Sequence, residues 1–209
     1  MPGKPFEKCR NIDRYHGLGS LPGCIGDGVD MKIEREHTAA IVIDYQEKLV
    51  PAMSGKEGLI ENSSILLAGL CTLDVPVFLT QQYTRGLGTT VKEIREAART
   101  EEFVEKIRFS AYEDVLKECP SIQEKKYIVL CGIEAHICVL QTLIDLRAHG
   151  YIPVLVTDCI SSRKDTDKEM AILRAQEEGA VLTTYEALLF ELLGAAGTEE
   201  SKKIQRLVK

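Results

Sequence analysis

From residue 38 onward, short apolar runs of strand length alternate with longer stretches in which apolar residues recur at helical spacing. The strand-like runs are TAAIVID (38–44), VPVFLTQ (75–81), KYIVLCG (126–132), IPVLVTD (152–158) and AVLTT (180–184), with a shorter one at FVEK (103–106). Continuous Val, Ile and Leu, rather than strict alternation, marks strands covered on both faces. Between the strands, 57–73 carries Leu59, Ile60, Leu66, Leu67 and Leu70, and 135–149 is apolar nearly all round. The stretch 167–179 sets its apolar side at Met170, Ile172, Leu173 and Ala175. Gly150 and Gly179 follow helix ends, where a left-handed residue is wanted. A final segment, TEESKKIQRLVK, opens on a Thr198 cap and has Ile204, Leu207 and Val208 on one side, as a last docked helix would. The alternation predicts an α/β fold, a parallel sheet between helices with right-handed crossovers.

Residues 1–30 break this pattern. They are rich in Gly and Pro, end in GSLPGCIGDGVD and show neither period, so they read as an N-terminal arm before one domain over 31–209. No strand precedes those glycines, so the dinucleotide-binding fingerprint fails on context. With 209 residues, 44% of them hydrophobic, the chain suits a single well-buried core. A net charge of -6 gives no electrostatic reason to expect nucleic acid or anionic lipid as a partner. No apolar run reaches the roughly 20 residues that span a bilayer, and MPGKPFEKCR lacks the apolar core of a secretory signal, so the expected setting is the cytosol. Seven cysteines, with Cys71, Cys131 and Cys159 in or beside apolar runs, read as reduced core thiols. There is no CxxC or HExxH, and His16, His37, His136 and His149 are scattered, so no metal and no cofactor are expected.

In open parallel sheets the chemistry sits beyond the carboxyl ends of the strands, so the residues that end each run are the ones to inspect. Asp44 ends the first run, Lys106 the short one, and Cys138 follows the run KYIVLCG in the first turn of a helix. Taken singly, each has an ordinary reading: a strand-end acid or cap, a solvated surface charge, a buried structural thiol. Taken together they are complementary. Asp44 would accept the thiol proton, Lys106 would hold the charges, and the Cys138 thiolate, its pKa depressed by the positive end of the helix dipole, would attack a carbonyl.

The motifs AIVIDYQEKL, QQYTRGLGTTV, EKIRFSAY, VLCGIEAHICVLQTLIDLRAHGY and VTDCISSR resemble the isochorismatase-like cysteine hydrolases, particularly the YcaC-type branch. The resemblance runs from about residue 38 to the C-terminus. It implies a six-stranded parallel sheet in a three-layer α/β/α sandwich, and a catalytic triad of Asp44, Lys106 and Cys138. It also implies a cis peptide between Ile133 and Glu134 and an oxyanion hole formed by the N–H groups of Glu134 and Cys138. This chain departs from the family pattern in having Ala135 where many relatives have Thr. QQYTRGLGTT lacks the histidine of the metal-dependent nicotinamidases, which disfavours nicotinamide with a bound metal.

Cys138 turns the expectation toward amide or related acyl chemistry on a small molecule, through a thioester. Gln82, Tyr83 and Arg85 after the second strand, with Ile107 and Phe109 after Lys106, are the candidate substrate contacts, Arg85 offering a planar fork to a carboxylate. The resemblance also implies a homo-oligomer. Two other readings stay open: a catalytically idle interaction protein of the same fold, and a thiol redox protein, the latter weakened by the lack of an obvious resolving cysteine.

Overall fold

The computed structural model describes residues 32–209, so the arm read over 1–30 lies outside the described residues. Six parallel strands form one sheet: β1 (Thr38–Ile43), β2 (Val77–Gln82), β3 (Val104–Lys106), β4 (Tyr127–Ile133), β5 (Ile152–Ser161) and β6 (Val181–Thr183). Their spatial order is β3-β2-β1-β4-β5-β6, with every pairing parallel.

Every residue of β1 and of β4 is buried, as continuous apolar runs require of central strands. Alternate residues of β1 serve two cores. Ala40 and Val42 join a cluster with α1 (Lys56–Thr72), whose Leu59, Leu66, Leu67 and Leu70 are buried, with α3 (Lys92–Ala98), and with α7 (Tyr185–Leu193) and α8 (Glu199–Leu207). Ala39, Ile41 and Ile43 join the opposite cluster, with α4 (Tyr112–Glu118), α5 (Leu140–Ala148) and α6 (Asp165–Glu177). A four-residue helix, α2 (Thr84–Leu87), follows β2. The result is the three-layer α/β/α sandwich, with six parallel strands flanked by helices.

The last helix docks as its pattern predicts. Thr198 accepts a hydrogen bond from the Ser201 N–H at 3.0 Å, and Ile204 is fully buried. Helix α1 approaches α7 so closely that a Cβ on Gly69 would stand 2.5 Å from Leu189 Cδ2.

On α6 the structure corrects the sequence reading. Met170 and Leu173 are 62% and 54% exposed, whereas Ala175 is buried as the pattern predicts, with Ala171 one turn away and the partly buried Ile172 beside them. Small side chains let the helix sit close to the sheet, and the bulkier ones are left outside. The helical stretch 135–149 is also not uniform: Ala135–Val139 is a single π-helical turn that runs into α5.

The geometry of the upper sheet edge turns on Gly132. It pairs with Ile43 across β1 and β4 at φ 137°, and a Cβ there would lie 2.2 Å from the Ile43 carbonyl oxygen. Only glycine permits that approach, which sets the end of β1 against the end of β4. Gly132→Ala is therefore expected to destabilise the fold by at least about 2 kcal/mol and to pull Asp44 away from the Cys138 turn. Denaturant unfolding with m unchanged would measure the first effect, and an unaltered midpoint would refute it.

Candidate active site

The carboxyl ends of β3, β2, β1 and β4 stand side by side, because the register pairs Gln82 with Lys106, Ile43 with Thr80 and Ile43 with Gly132. Asp44 immediately follows β1, in the left-handed region at φ 55°. Aspartate is one of the few side chains that tolerate that conformation, which turns its carboxylate back over the sheet edge. Thr80 Oγ1 donates to Asp44 Oδ1 at 2.8 Å.

Lys106 reaches across β2 to Asp44. Its Nζ lies 2.7 Å from Asp44 Oδ2, with both side chains fully buried. The ammonium also donates to Gln82 Oε1 at 2.7 Å and to the carbonyls of Phe109 and Arg108 at 3.0 and 3.3 Å. Gln82 is itself held. Its Nε2 donates to the Ile107 carbonyl at 2.6 Å, and its backbone N–H and carbonyl are bound by the buried Gln46 amide at 2.8 and 3.0 Å. Asp44 Oδ2 has the Lys106 ammonium as its close ion-pair partner. A carboxylate oxygen carries a second lone pair besides the one facing the ammonium, and that pair can take a proton.

Cys138 sits in the π turn, 7% exposed. The Glu134 carbonyl accepts the N–H groups of Ile137 and Val139 and passes over the Cys138 N–H between them. The peptide joining Ile133 to Glu134 is cis. Three anchors fix the turn. Thr142 Oγ1 donates to the Cys138 carbonyl at 2.7 Å and accepts from the Ala111 N–H at 2.9 Å. His136 Nδ1 is 2.9 Å from Ser162 Oγ, and Glu134 Oε2 accepts from the N–H and Nε of Arg163 at 3.1 and 3.0 Å.

Asp44 and Lys106 both act on the Cys138 thiol, through charge and through hydrogen bonding. Burial, followed by the Asp44 charge, outweighs the lysine, and the thiol is pushed up to about 12. This overturns the expectation of a depressed thiol. A short π turn buried under a carboxylate offers less to the thiolate than desolvation removes. The resting site is thus a neutral thiol beside an ion pair.

Together with Asp44, Gln82, Glu134 and Cys138, the apolar side chains Leu49, Leu87, Phe109, Ile133 and Ile137 line a cavity of about 110 Å³. Larger cavities of about 240 Å³ beside β3 and about 590 Å³ over α6 touch none of Asp44, Lys106 and Cys138. Of the sequence candidates for substrate contact, the structure brings Gln82 and Phe109 to the cavity. Tyr83 and Ile107 are exposed beyond it and Arg85 does not line it, although Ile107 lends its carbonyl to Gln82. Gln46, Thr80, Thr142, Ser162 and Arg163 hold the site and went unnoticed in the sequence. Apart from the bond from Thr142 to the Cys138 carbonyl one turn away, their roles are hydrogen bonds to residues far along the chain, with no spacing signal to reveal them.

Residues 38–187 match the isochorismatase domain family. The chain belongs to that family. Isochorismatase domain-containing protein 2A of Mus musculus is 34% identical over 178 residues, 85% of each chain. The secreted isochorismatase effector Isc1 of Phytophthora sojae is 35% identical, covering 80% of this chain and 82% of the other. Among solved structures, the MAR1 ribonuclease of Caenorhabditis elegans superposes with a TM-score of 0.80 at 32% identity, over 85% of this chain and 92% of that one. The Escherichia coli YcaC gene product, described as an octameric hydrolase of unknown specificity, has the same fold: TM-score 0.75 at 19% identity, over 81% of this chain and 85% of that one.

For this family member the raised thiol makes a direct prediction. Difference ultraviolet absorbance between the wild type and Cys138→Ser should show no Cys138 thiolate until about pH 10 or above. A thiolate band that appears near neutral pH would overturn the neutral resting state.

Proposed function

We propose that this isochorismatase-family chain is a cysteine-dependent hydrolase that cleaves the C–N bond of a small amide through a thioester. The observation that carries the reading is the meeting of Asp44 and Cys138 at one small cavity, with the buried Lys106 ammonium paired to Asp44. Because the thiol is neutral at rest, its proton leaves as the S–C bond forms and passes to Asp44 Oδ2. The carbonyl oxygen takes up the negative charge, and the N–H groups of Glu134 and Cys138 are the donors suited to hold it. The C–N bond then breaks and the departing nitrogen takes the proton from Asp44. Water, losing a proton to the same carboxylate, attacks the thioester, and the sulfur leaves as a thiol. Lys106, fully buried, stays paired with the Asp44 carboxylate between steps.

The C. elegans neighbour bears the name ribonuclease. For this chain an amide is the better supported substrate. A sulfur nucleophile in an apolar cavity of about 110 Å³ suits a small carbonyl compound rather than a phosphodiester. A screen of small amides should yield a substrate whose turnover is lost, by a factor of at least about 10³, in Cys138→Ala. Trapping with that substrate should leave an acyl mass on the Cys138 peptide. Full turnover by Cys138→Ala would refute the nucleophile and favour the idle or redox readings.

We also propose self-association, with a reducing, cytosolic setting that keeps thiols such as Cys131 and Cys159 free. Among the described residues no helix is long and apolar enough to cross a membrane. The exposed Met170 and Leu173 on α6 form an apolar face of the kind that subunit contacts cover. Leu173→Glu should lower the sedimentation mass, and a monomeric wild type would refute the assembly.

A further inference from the structure

The cavity beside Cys138 is small and apolar, and among the described residues no uncommitted cation lines it. Its volume of about 110 Å³ lies well below the roughly 300 Å³ at which pockets for larger ligands begin. Five of the nine side chains that line it are hydrocarbon: Leu49, Leu87, Phe109, Ile133 and Ile137. The polar ones are already engaged. Gln82 holds Lys106 and the Ile107 carbonyl, and Glu134 is tied to Arg163. The three protons of the Lys106 ammonium face four oxygens, those of Asp44, Gln82, Phe109 and Arg108. Arg85, the candidate fork for a carboxylate, does not line the cavity.

We propose that the site selects a short, uncharged acyl group, of the size and polarity of a small aliphatic carboxamide, and rejects anionic ones. This deepens the cysteine-hydrolase reading and rests on it. An anionic substituent in this cavity would lose water, find no uncommitted positive partner among the described residues that line it, and sit near the Asp44 carboxylate. Each of those effects opposes binding. An uncharged carbonyl needs only the backbone donors of the turn, and its alkyl part finds Leu, Ile and Phe. Leu49 and Leu87 determine this specificity. They come from the segments after β1 and β2, held together by backbone hydrogen bonds from Lys48 to Leu87 and from Glu47 to Thr89.

Iodoacetamide and iodoacetate deliver the same carbon to a thiol and differ in charge. In each reaction an S–C bond forms, iodide leaves, and the thiol proton passes through Asp44 to solvent. With the full chain and glutathione in the same tube, peptide masses would report the rate at Cys138 relative to the free thiol. The amide-over-acid preference of Cys138 should exceed that of glutathione by at least about tenfold. Leu87→Lys, a change at a half-buried position, should bring the preference down toward that of glutathione. A preference at Cys138 equal to that of glutathione would overturn the proposed selectivity and leave the nucleophile standing. So would an unchanged preference in Leu87→Lys. Failure of both reagents to label Cys138, while glutathione reacts, would refute the nucleophile reading and the selectivity with it.

Discussion

The structure is organised around one buried ion pair. Asp44 and Lys106 are each removed from water, which costs several kcal/mol per charge, and their attraction offsets this only because further groups complete both shells. Thr80 serves the carboxylate, while Gln82 and two carbonyls serve the ammonium. Removing one partner alone would leave an unpaired buried charge, a loss on the order of 3–5 kcal/mol. Much of the upper sheet edge follows from that constraint. A strand of only three residues, β3, delivers the lysine, and β2 lies between it and β1, so the lysine side chain must cross a strand to reach its partner. The loop after β3 turns its carbonyls inward to finish the cage.

The pair also determines how the sulfur can behave. A thiol held at about 12 is neutral over the physiological range, so Cys138 is not a standing nucleophile exposed to every oxidant. In the proposed mechanism its reactivity is conditional on a group arriving in the cavity and on the carboxylate taking the proton at that moment. The other core thiols show what burial does without such partners. Cys131 is pushed up to about 12 by desolvation, against only a weak counter-effect from Tyr45, and has no ammonium or carboxylate acting on it. Similar acidity, with and without a base beside the sulfur, separates the candidate nucleophile from a packing residue.

The fold was legible because its strands carry unbroken Val, Ile and Leu and its longer helices carry spaced Leu. Six strands, their parallel pairing and the positions of Asp44, Lys106 and Cys138 at strand ends all follow from that pattern. Helices α3, α4 and α7 escaped notice because seven to nine residues make a weak period. On α6 Ile172 and Ala175 were read correctly as inward, but Met170 and Leu173 were not seen to face out nor Ala171 to face in, since alanine carries little hydrophobic signal although it fits a close helix–sheet contact. The thiol was misjudged for a different reason. Position in a first helical turn can be read from sequence, whereas burial and the neighbouring charge depend on the fold.

The cavity wall illustrates a further limit on sequence reading. Gln82, Tyr83, Arg85, Ile107 and Phe109 were singled out by their nearness in sequence to strand ends, yet the walls also come from Leu49, in a turn, and Leu87, the last residue of the four-residue α2. Those segments are rigid because the Gln46 side chain bridges them: its Nε2 donates to the carbonyls of Gln82 and Gly88, and its Oε1 accepts from the Gln82 N–H. One buried amide therefore fixes both the strand that supports Lys106 and the loop that faces the substrate. Residues that position the charges and residues that shape the wall share this support, so a wall substitution that leaves Gln46 alone can alter selectivity without moving the ion pair. Members of one family can in that way keep the same charged pair and thiol while differing in what they accept.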